Sequence, residues 1–441
     1  MNFLSFKDTV IFPESAEING VGHLSVGGCD LTELAEEYGT PLYIYDEATL
    51  RGKCQEFSGE FGSRYSKLKV VYASKAFMVR GLALMLKEEG LGLDVVSGGE
   101  MAAALSVDFP MERVYFHGNN KSRDELLQAL ECGIGRIVVD NLYELRLLNE
   151  LCQEKDFVQD ILLRVSPGID PHTHAFTTTG IIDSKFGITI ATGQAEEALA
   201  MSLQAKNLNL VGLHFHLGSP IFEIEPYAEG IKVAMNFVSE MTERHGLRLE
   251  ELNVGGGFAI QYVRQSPPPA IREYAEVITS TLKEECESRG IPLPTLVIEP
   301  GRSLVGRAGI ALYRVGFSKD VPEVRKYVSV DGGMADNIRP AIYGSLYEAV
   351  VANRPLAESS EVVTIAGKYC ESGDILIRDL ELPSLSSGDL LALPASGAYN
   401  LAMSSNYNLS TRPAVIIVKD GNSRLLRRRE SYQDLIALDV V

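Results

Sequence analysis

From about residue 68, short runs of β-branched and other apolar residues alternate with longer stretches whose apolar positions recur at helical spacing. The runs are LKVVYAS (68–74), GLDVV (92–96), RVYFH (113–117), RIVVD (136–140), ILLRV (161–165), LVGLHFH (210–216), LNV (252–254) and TLVIE (295–299), eight in all. Between them, 79–89, 123–132, 142–154, 194–205, 227–244 and 270–289 read as amphipathic helices. That alternation predicts parallel βα units, and eight of them over 47–305 predict an α/β chain built on a (β/α)8 TIM barrel.

Past residue 305 the period changes to two, in IALYRVGF, KYVSVDGG, EVVTIAGKY, DILIRDL, DLLALPAS, AVIIVKDG and RLLRRRE, with Gly, Asp and Ser at the turns. This predicts a C-terminal antiparallel β-barrel or sandwich over 306–441. Residues 1–46 read as short strands, joining that β domain in part, and a lead-in helix, LTELAEEYG (31–39).

With 441 residues the chain exceeds what one core usually serves, and 45% hydrophobic content is ample for two domains. Its 59 acidic residues outnumber 41 basic ones, and the longest basic cluster is Arg427-Arg428-Arg429, which argues against nucleic-acid binding. No stretch approaches the roughly 20 apolar residues of a membrane span, and the N-terminus lacks a signal-peptide core, so a cytoplasmic protein is expected. Six cysteines (Cys29, Cys54, Cys132, Cys152, Cys286, Cys370) without CxxC spacing suggest neither a metal site nor a disulfide framework.

Reactive groups of a barrel sit at the C-terminal ends of its strands. There the sequence places Lys75 after strand one, Asp94 in strand two, His117 ending strand three and Arg164 in strand five. His216 ends strand six, Gly255, Gly256 and Gly257 follow strand seven, and Glu299 ends strand eight. Singly, each has a plain reading: a lysine at a strand end is usually solvated, and a Gly-rich turn is usually only a turn. Jointly they describe a site for pyridoxal 5'-phosphate (PLP). A lysine in a partly desolvated barrel mouth loses its proton more easily and can form a Schiff base with an aldehyde, which makes Lys75 the candidate. A phosphate needs unobstructed backbone N–H groups, and GGGF (255–258) and PGRS (300–303, with Gly301 and Arg302) fill the two loops where barrels commonly hold one. A pyridine nitrogen stays protonated opposite an acid, a part Glu299 can take. The His216 imidazole can stack on the ring, and the Ser219 hydroxyl can bind phosphate. His214, two residues earlier and taken to face the other side of the strand, is expected to pack rather than bind a ligand.

The chain resembles the diaminopimelate decarboxylases, of the alanine-racemase-like PLP fold type that also includes ornithine and arginine decarboxylases. The resemblance runs from about 20 to 437 and is carried by YASKAF, DVVSGGE, FHGNNKS, HFHLGS, NVGGGF, EPGRSLVG, VDGGMADNIRPAIY, CESGD and GAYNLAMSSNYN. It implies that Lys75 carries PLP, His216 stacks on it, Ser219 and Gly255 to Gly257 hold its phosphate, and Glu299 meets its ring nitrogen. It further implies that Arg302, Arg339 and Tyr343 contact an amino-acid substrate and that Tyr399 touches both phosphate and substrate. Cys370 and Glu371 would enter from the second subunit of a homodimer, Cys370 to protonate the carbanion and Glu371 to hold the distal ammonium. The implied reaction is conversion of meso-2,6-diaminopimelate to L-lysine and CO2, the last step of lysine biosynthesis. Pro220 stands where the family usually has Gln, and Asn400 where Gly is common. Another basic amino-acid decarboxylase of the same fold, an amino-acid racemase and a non-catalytic relative are the competing readings; racemases usually place Arg where this chain has Glu299.

Overall fold

The structure is a computed structural model that describes residues 10–170 and 183–441. It divides into two compact units. One comprises 54–259 and 268–301; the other comprises the chain up to Lys53, the short segment 260–267, and 302–441. The sequence reading places its boundaries at 46/47 and 305/306 and assigns 260–267 to the barrel. The division into units falls inside helix Glu47–Gly62 and just after Gly301, and groups 260–267 with the β unit.

The first unit is a closed barrel. Its strands are Leu68–Ala73, Gly92–Val95, Val114–Phe116, Arg136–Val139, Gln159–Ser166, Leu208–His214, Glu251–Asn253 and Thr295–Ile298, all paired in parallel, with the eighth returning to the first. Each falls within two residues of its expected run. Val71, Tyr115, Val138, Leu162, Val211 and Val297, from six of the strands, form one buried cluster, so side chains fill the barrel. The sixth strand shifts register between Leu210 and Gly212, where a Cβ on Gly212 would lie 1.8 Å from the Glu251 carbonyl oxygen. Only glycine allows that approach.

At the strand starts, the Glu251 carboxylate receives Lys69 Nζ at 2.5 Å, Arg136 Nη2 at 2.8 Å and the Tyr115 hydroxyl at 2.9 Å. Burial alone would raise its pKa, but the two cations hold it below the usual range. At the opposite end, aromatic side chains fix the loops. Tyr227, on helix Glu225–His245, donates to the Gly256 carbonyl at 2.9 Å, and Tyr274, on helix Ile271–Arg289, donates to the Ile221 carbonyl at 2.7 Å. Both rings pack on Phe258. Lys121 is buried yet fully paired, with the carbonyls of Gly118 and Val138 and with Glu144 Oε1, which ties the loop after strand three to strand four.

The second unit holds a nine-stranded sheet ordered Ile375–Leu382, Glu361–Ala366, Arg325–Val330, Gly309–Val321, Leu42–Asp46, Ala414–Lys419, Asn422–Arg427, with Leu390–Leu393 and Val350–Val351 branching from Gly309–Val321. Two of its pairings are parallel, Arg325–Val330 with Glu361–Ala366 and Leu42–Asp46 with Ala414–Lys419, so the sheet is mixed where the period alone suggested antiparallel pairing throughout. The N-terminal strand that enters this sheet is Leu42–Asp46; Glu17–Ile18, Leu24–Val26 and Cys29–Asp30 form a small antiparallel sheet of their own, and residues 1–9 lie outside the described residues. Helix Leu31–Tyr38 follows, capped by the Asp30 carboxylate on the Thr32 N–H, and buries Leu31, Leu34 and Ala35 in the apolar core with Leu42, Ile44, Ile310, Leu312 and Ile416. Among the described residues no helix is long and apolar enough to cross a membrane.

Candidate active site

The candidate residues fall into two groups, one in each unit. In the barrel unit the centre is Glu299, one residue past the eighth strand and buried. Asn253 Nδ2, from the end of the seventh strand, donates to its Oε1 at 2.6 Å, and His214 Nε2, from the end of the sixth, lies 3.2 Å from its Oε2. His117 Nε2, just past the third strand, is 2.8 Å from Oε1 without hydrogen-bond alignment and 3.9 Å from Asp94 Oδ1. Burial alone would push the Glu299 carboxyl up, but the two imidazoles hold it well below the usual carboxylate range. Burial in turn pushes His214 down to about 3, so it is neutral and donates through Nε2. The structure thus corrects the expectation for His214. Residues two apart share a strand face wherever alternation is regular, and both histidines close the same strand end.

Ligand atoms of His117, His214 and Glu299 lie within 4.8 Å of one another. Asn253 and His214 already direct N–H groups at the carboxylate, an arrangement made to present an ionised acid to a cationic partner.

Lys75 sits in the 3-10 turn Ser74–Ala76 directly after the first strand. Its side chain is exposed, so burial is not what prepares it, contrary to the sequence expectation. Its charge acts instead on Asp94, Glu100 and His216. Glu100 is fixed by the Val96 N–H at 2.6 Å, and burial pushes its carboxyl up to about 7. His216 Nδ1 accepts the Gly256 N–H at 3.2 Å, and burial, reinforced by Lys75 and Arg164, holds the ring well below its ordinary pKa. A neutral imidazole carrying its proton on Nε2 results.

In the glycine loop, a Cβ on Gly256 would lie 2.1 Å from the Glu299 carbonyl oxygen, and one on Gly257, at φ +107°, 2.5 Å from that of Gly218. Backbone packing therefore demands these glycines whatever the ligand. The Gly255 and Gly256 N–H groups are committed to Asn253 Oδ1 and His216 Nδ1. Those of Gly257 and Gly301 take no partner among the described residues. Two free N–H groups in the loops after strands seven and eight suit a phosphate. The loop of Ser219 is held through Ile221, whose N–H donates to the Gly257 carbonyl at 2.8 Å, and the Ser219–Pro220 bond is cis.

In the β unit, Arg302 and Arg339 are both buried, and both are held by tyrosines. Arg302 Nη1 donates to the Tyr262 hydroxyl at 2.6 Å, and its guanidinium lies over the Tyr399 ring at 4.6 Å. Arg339 Nη1 donates to the Tyr347 hydroxyl at 2.5 Å and stacks over Tyr262 at 4.5 Å. No carboxylate pairs with Arg339 among the described residues, which marks a place for an anion, since a buried cation without counter-charge is costly. Tyr399 adopts φ +62°, a left-handed conformation that a tyrosine keeps only where its surroundings impose it. Tyr343, four residues after Arg339 and ending the same short helix, is half-buried. Cys370 and Glu371 are exposed on a loop pinned by Cys370 N–H to Asn408 Oδ1 and by the Tyr407 hydroxyl to the Cys370 carbonyl. Tyr262, Tyr347 and Asn253 are participants that motif spacing did not single out; aromatic and amide residues beside charged partners give no signal of their own in one sequence.

Residues 47–306 match the family model for the pyridoxal binding domain of pyridoxal-dependent decarboxylases. With its barrel and a buried carboxylate at the eighth strand, the chain is a PLP-dependent decarboxylase. The diaminopimelate decarboxylase of Bacillus subtilis (strain 168) is 48% identical over 422 residues, 96% of each chain. A solved diaminopimelate decarboxylase from m. jannaschii matches with a TM-score of 0.91 and 36% identity, covering 97% of this chain and 98% of that one; a second structure of that enzyme, with the same figures, is a complex with L-lysine. The chain belongs to the diaminopimelate decarboxylase family.

Proposed function

We propose that this chain removes CO2 from meso-2,6-diaminopimelate to give L-lysine, the last step of lysine biosynthesis. The observation that carries the reading is Glu299, buried and kept ionised by His214, His117 and Asn253. The substrate is supported by the name of the Bacillus subtilis relative and by the L-lysine bound in the m. jannaschii enzyme.

The barrel residues fit PLP. Lys75 Nζ would hold its aldehyde carbon, Glu299 its ring nitrogen and His216 one face of its ring. Ser219, the loop of Gly255 to Gly257, Gly301, Arg302 and Tyr399 would hold its phosphate, with the unpartnered N–H groups of Gly257 and Gly301 as direct donors. When bound, PLP supplies the sink for the electron pair left on the substrate carbon as CO2 departs.

The chain's own residues do the rest. Arg302, Arg339 and Tyr343 bind and orient the substrate, the guanidiniums taking carboxylate. Glu371 of the partner subunit holds the ammonium at the far end, and Cys370 of the partner subunit delivers a proton from Sγ to the carbon that lost CO2. On this reading 47–305 is the cofactor domain and 306–441, with strands of 1–46, the β domain, in a homodimer with shared sites. Scattered cysteines, none of them in a disulfide, and the net charge of −18 accord with a reducing cytoplasmic setting and with no nucleic-acid partner.

CO2 release by the PLP-loaded protein, with meso-diaminopimelate, L-ornithine, L-arginine and L-lysine in parallel, tests the reading. Turnover of meso-diaminopimelate alone is expected. Turnover of another substrate instead would reassign Glu371, and none at all would favour a non-catalytic relative.

A further inference from the structure

Asn400 is fully buried in the β unit, and among the described residues its side chain makes one hydrogen bond. The Tyr347 hydroxyl donates to its Oδ1 at 3.0 Å and accepts Arg339 Nη1 at 2.5 Å. The amide orientation follows from this chain of bonds. With a guanidinium N–H already pointing at the phenol oxygen, the phenol proton must go to an acceptor, and the Asn400 carbonyl receives it. Asn400 Nδ2 takes no hydrogen-bond partner among the described residues. A buried amide with half its capacity unmet is a poor choice for packing alone, because an apolar residue of similar volume would leave no N–H unpaired. What Asn400 contributes is the acceptor that turns the Tyr347 hydroxyl.

The consequence reaches Arg339. Its guanidinium stacks over Tyr262 at 4.5 Å, which fixes its plane, while Tyr347 fixes its rotation within that plane by engaging Nη1. Tyr262 and Tyr347 brace one another edge to face at 5.6 Å. Were the Tyr347 hydroxyl free to rotate, its proton could face the guanidinium, and the positions of the remaining N–H groups would loosen.

We propose that Asn400 and Tyr347 are positioning residues for substrate binding: Asn400 takes the Tyr347 proton so that Tyr347 presents a lone pair to Arg339, whose other N–H groups are thereby aimed at a substrate carboxylate. This rests on the reading of Arg339 as a carboxylate ligand. Because Arg339 acts on binding rather than on the bond that breaks, loss of its orientation raises KM and leaves kcat nearly alone.

The test is steady-state decarboxylation of meso-diaminopimelate by the PLP-loaded wild type, Tyr347→Phe, Asn400→Leu, the double variant and Asn400→Asp, with melting temperatures recorded alongside. Each of Tyr347→Phe and Asn400→Leu is expected to raise KM about ten-fold with kcat changed less than about three-fold, the size of one lost hydrogen bond to a charged partner's support. The double variant should be no worse than either single one, because both break the same chain of bonds. Asn400→Asp, which keeps an acceptor for the hydroxyl, should hold KM within about three-fold of wild type. Should Asn400→Leu fail to fold, Tyr347→Phe, which deletes a single hydroxyl, decides alone. An unchanged KM in a folded Tyr347→Phe, or additive KM effects in the double variant, overturns the proposal while leaving the function standing. A wild type that releases no CO2 from meso-diaminopimelate overturns both.

Discussion

Lys75 and His214 show how far single residues can be read. The lysine was found by its place after a strand, but desolvation, the property invoked to prepare it, is not what the structure supplies; it is exposed, and its charge is felt by Asp94, Glu100 and His216. Lys75→Ala is expected to remove the visible absorbance band of lysine-bound PLP, and a band of undiminished intensity at the same wavelength would show that another amine holds the cofactor. His214 was legible as a residue but not as a partner of Glu299, because that contact joins the ends of two strands far apart in sequence. Its neutrality has a consequence for stability. In the fold His214 binds a proton only near pH 3, whereas in the unfolded chain an imidazole does so near pH 6.5. The unfolded state therefore holds more protons between those values, and stability is fully present above about 6.5 and lost as pH falls. Replacing His214 with Phe removes one such proton, so unfolding free energy measured by urea between pH 6.5 and 4.5 should fall less steeply than in wild type, by up to about 1.4 kcal/mol per pH unit. Identical slopes would mean that His214 is protonated in the fold.

At the scale of elements, all eight barrel strands were legible because each is a short apolar run, the pattern a strand buried on both faces must have, and most are followed by a stretch of helical period. Helix Gly98–Leu105 was missed: GGEMAAAL opens with two glycines and carries little amphipathic contrast, and what starts it is the Ser97 cap on the Glu100 N–H. Parallel pairing inside the β unit was equally invisible, since period two specifies a face and not the direction of the neighbour. Neither could spacing find the Glu251 plug, whose partners come from three other strands. Its position at the strand starts assigns it to stability rather than chemistry. Glu251→Leu leaves Lys69 and Arg136 without their shared acceptor, and a loss of about 3 kcal/mol or more in urea unfolding is expected, with kcat per folded molecule unchanged. A folded variant with impaired kcat would place this end of the barrel in the reaction.

At the scale of the whole molecule, the proposed acid and the proposed PLP lysine need not belong to one chain. Cys370 lies on an exposed loop tied locally, to Asn408 and Tyr407, and no hydrogen bond commits its thiol among the described residues. If each site takes Lys75 from one subunit and Cys370 from the other, Lys75→Ala and Cys370→Ala homodimers are both inactive, the first at every Lys75 and the second at every Cys370. A mixed dimer then pairs the intact Lys75 of one chain with the intact Cys370 of the other, giving one complete site and one doubly defective site. Random exchange makes half the dimers mixed, so recovery should approach about a quarter of wild-type activity per subunit, the statistical limit for two equivalent shared sites. Recovery on mixing, with exchange followed by differently tagged subunits, is the expected result. Proven exchange without any recovery would require each site to draw Lys75 and Cys370 from the same chain, and the shared-site homodimer would have to be abandoned.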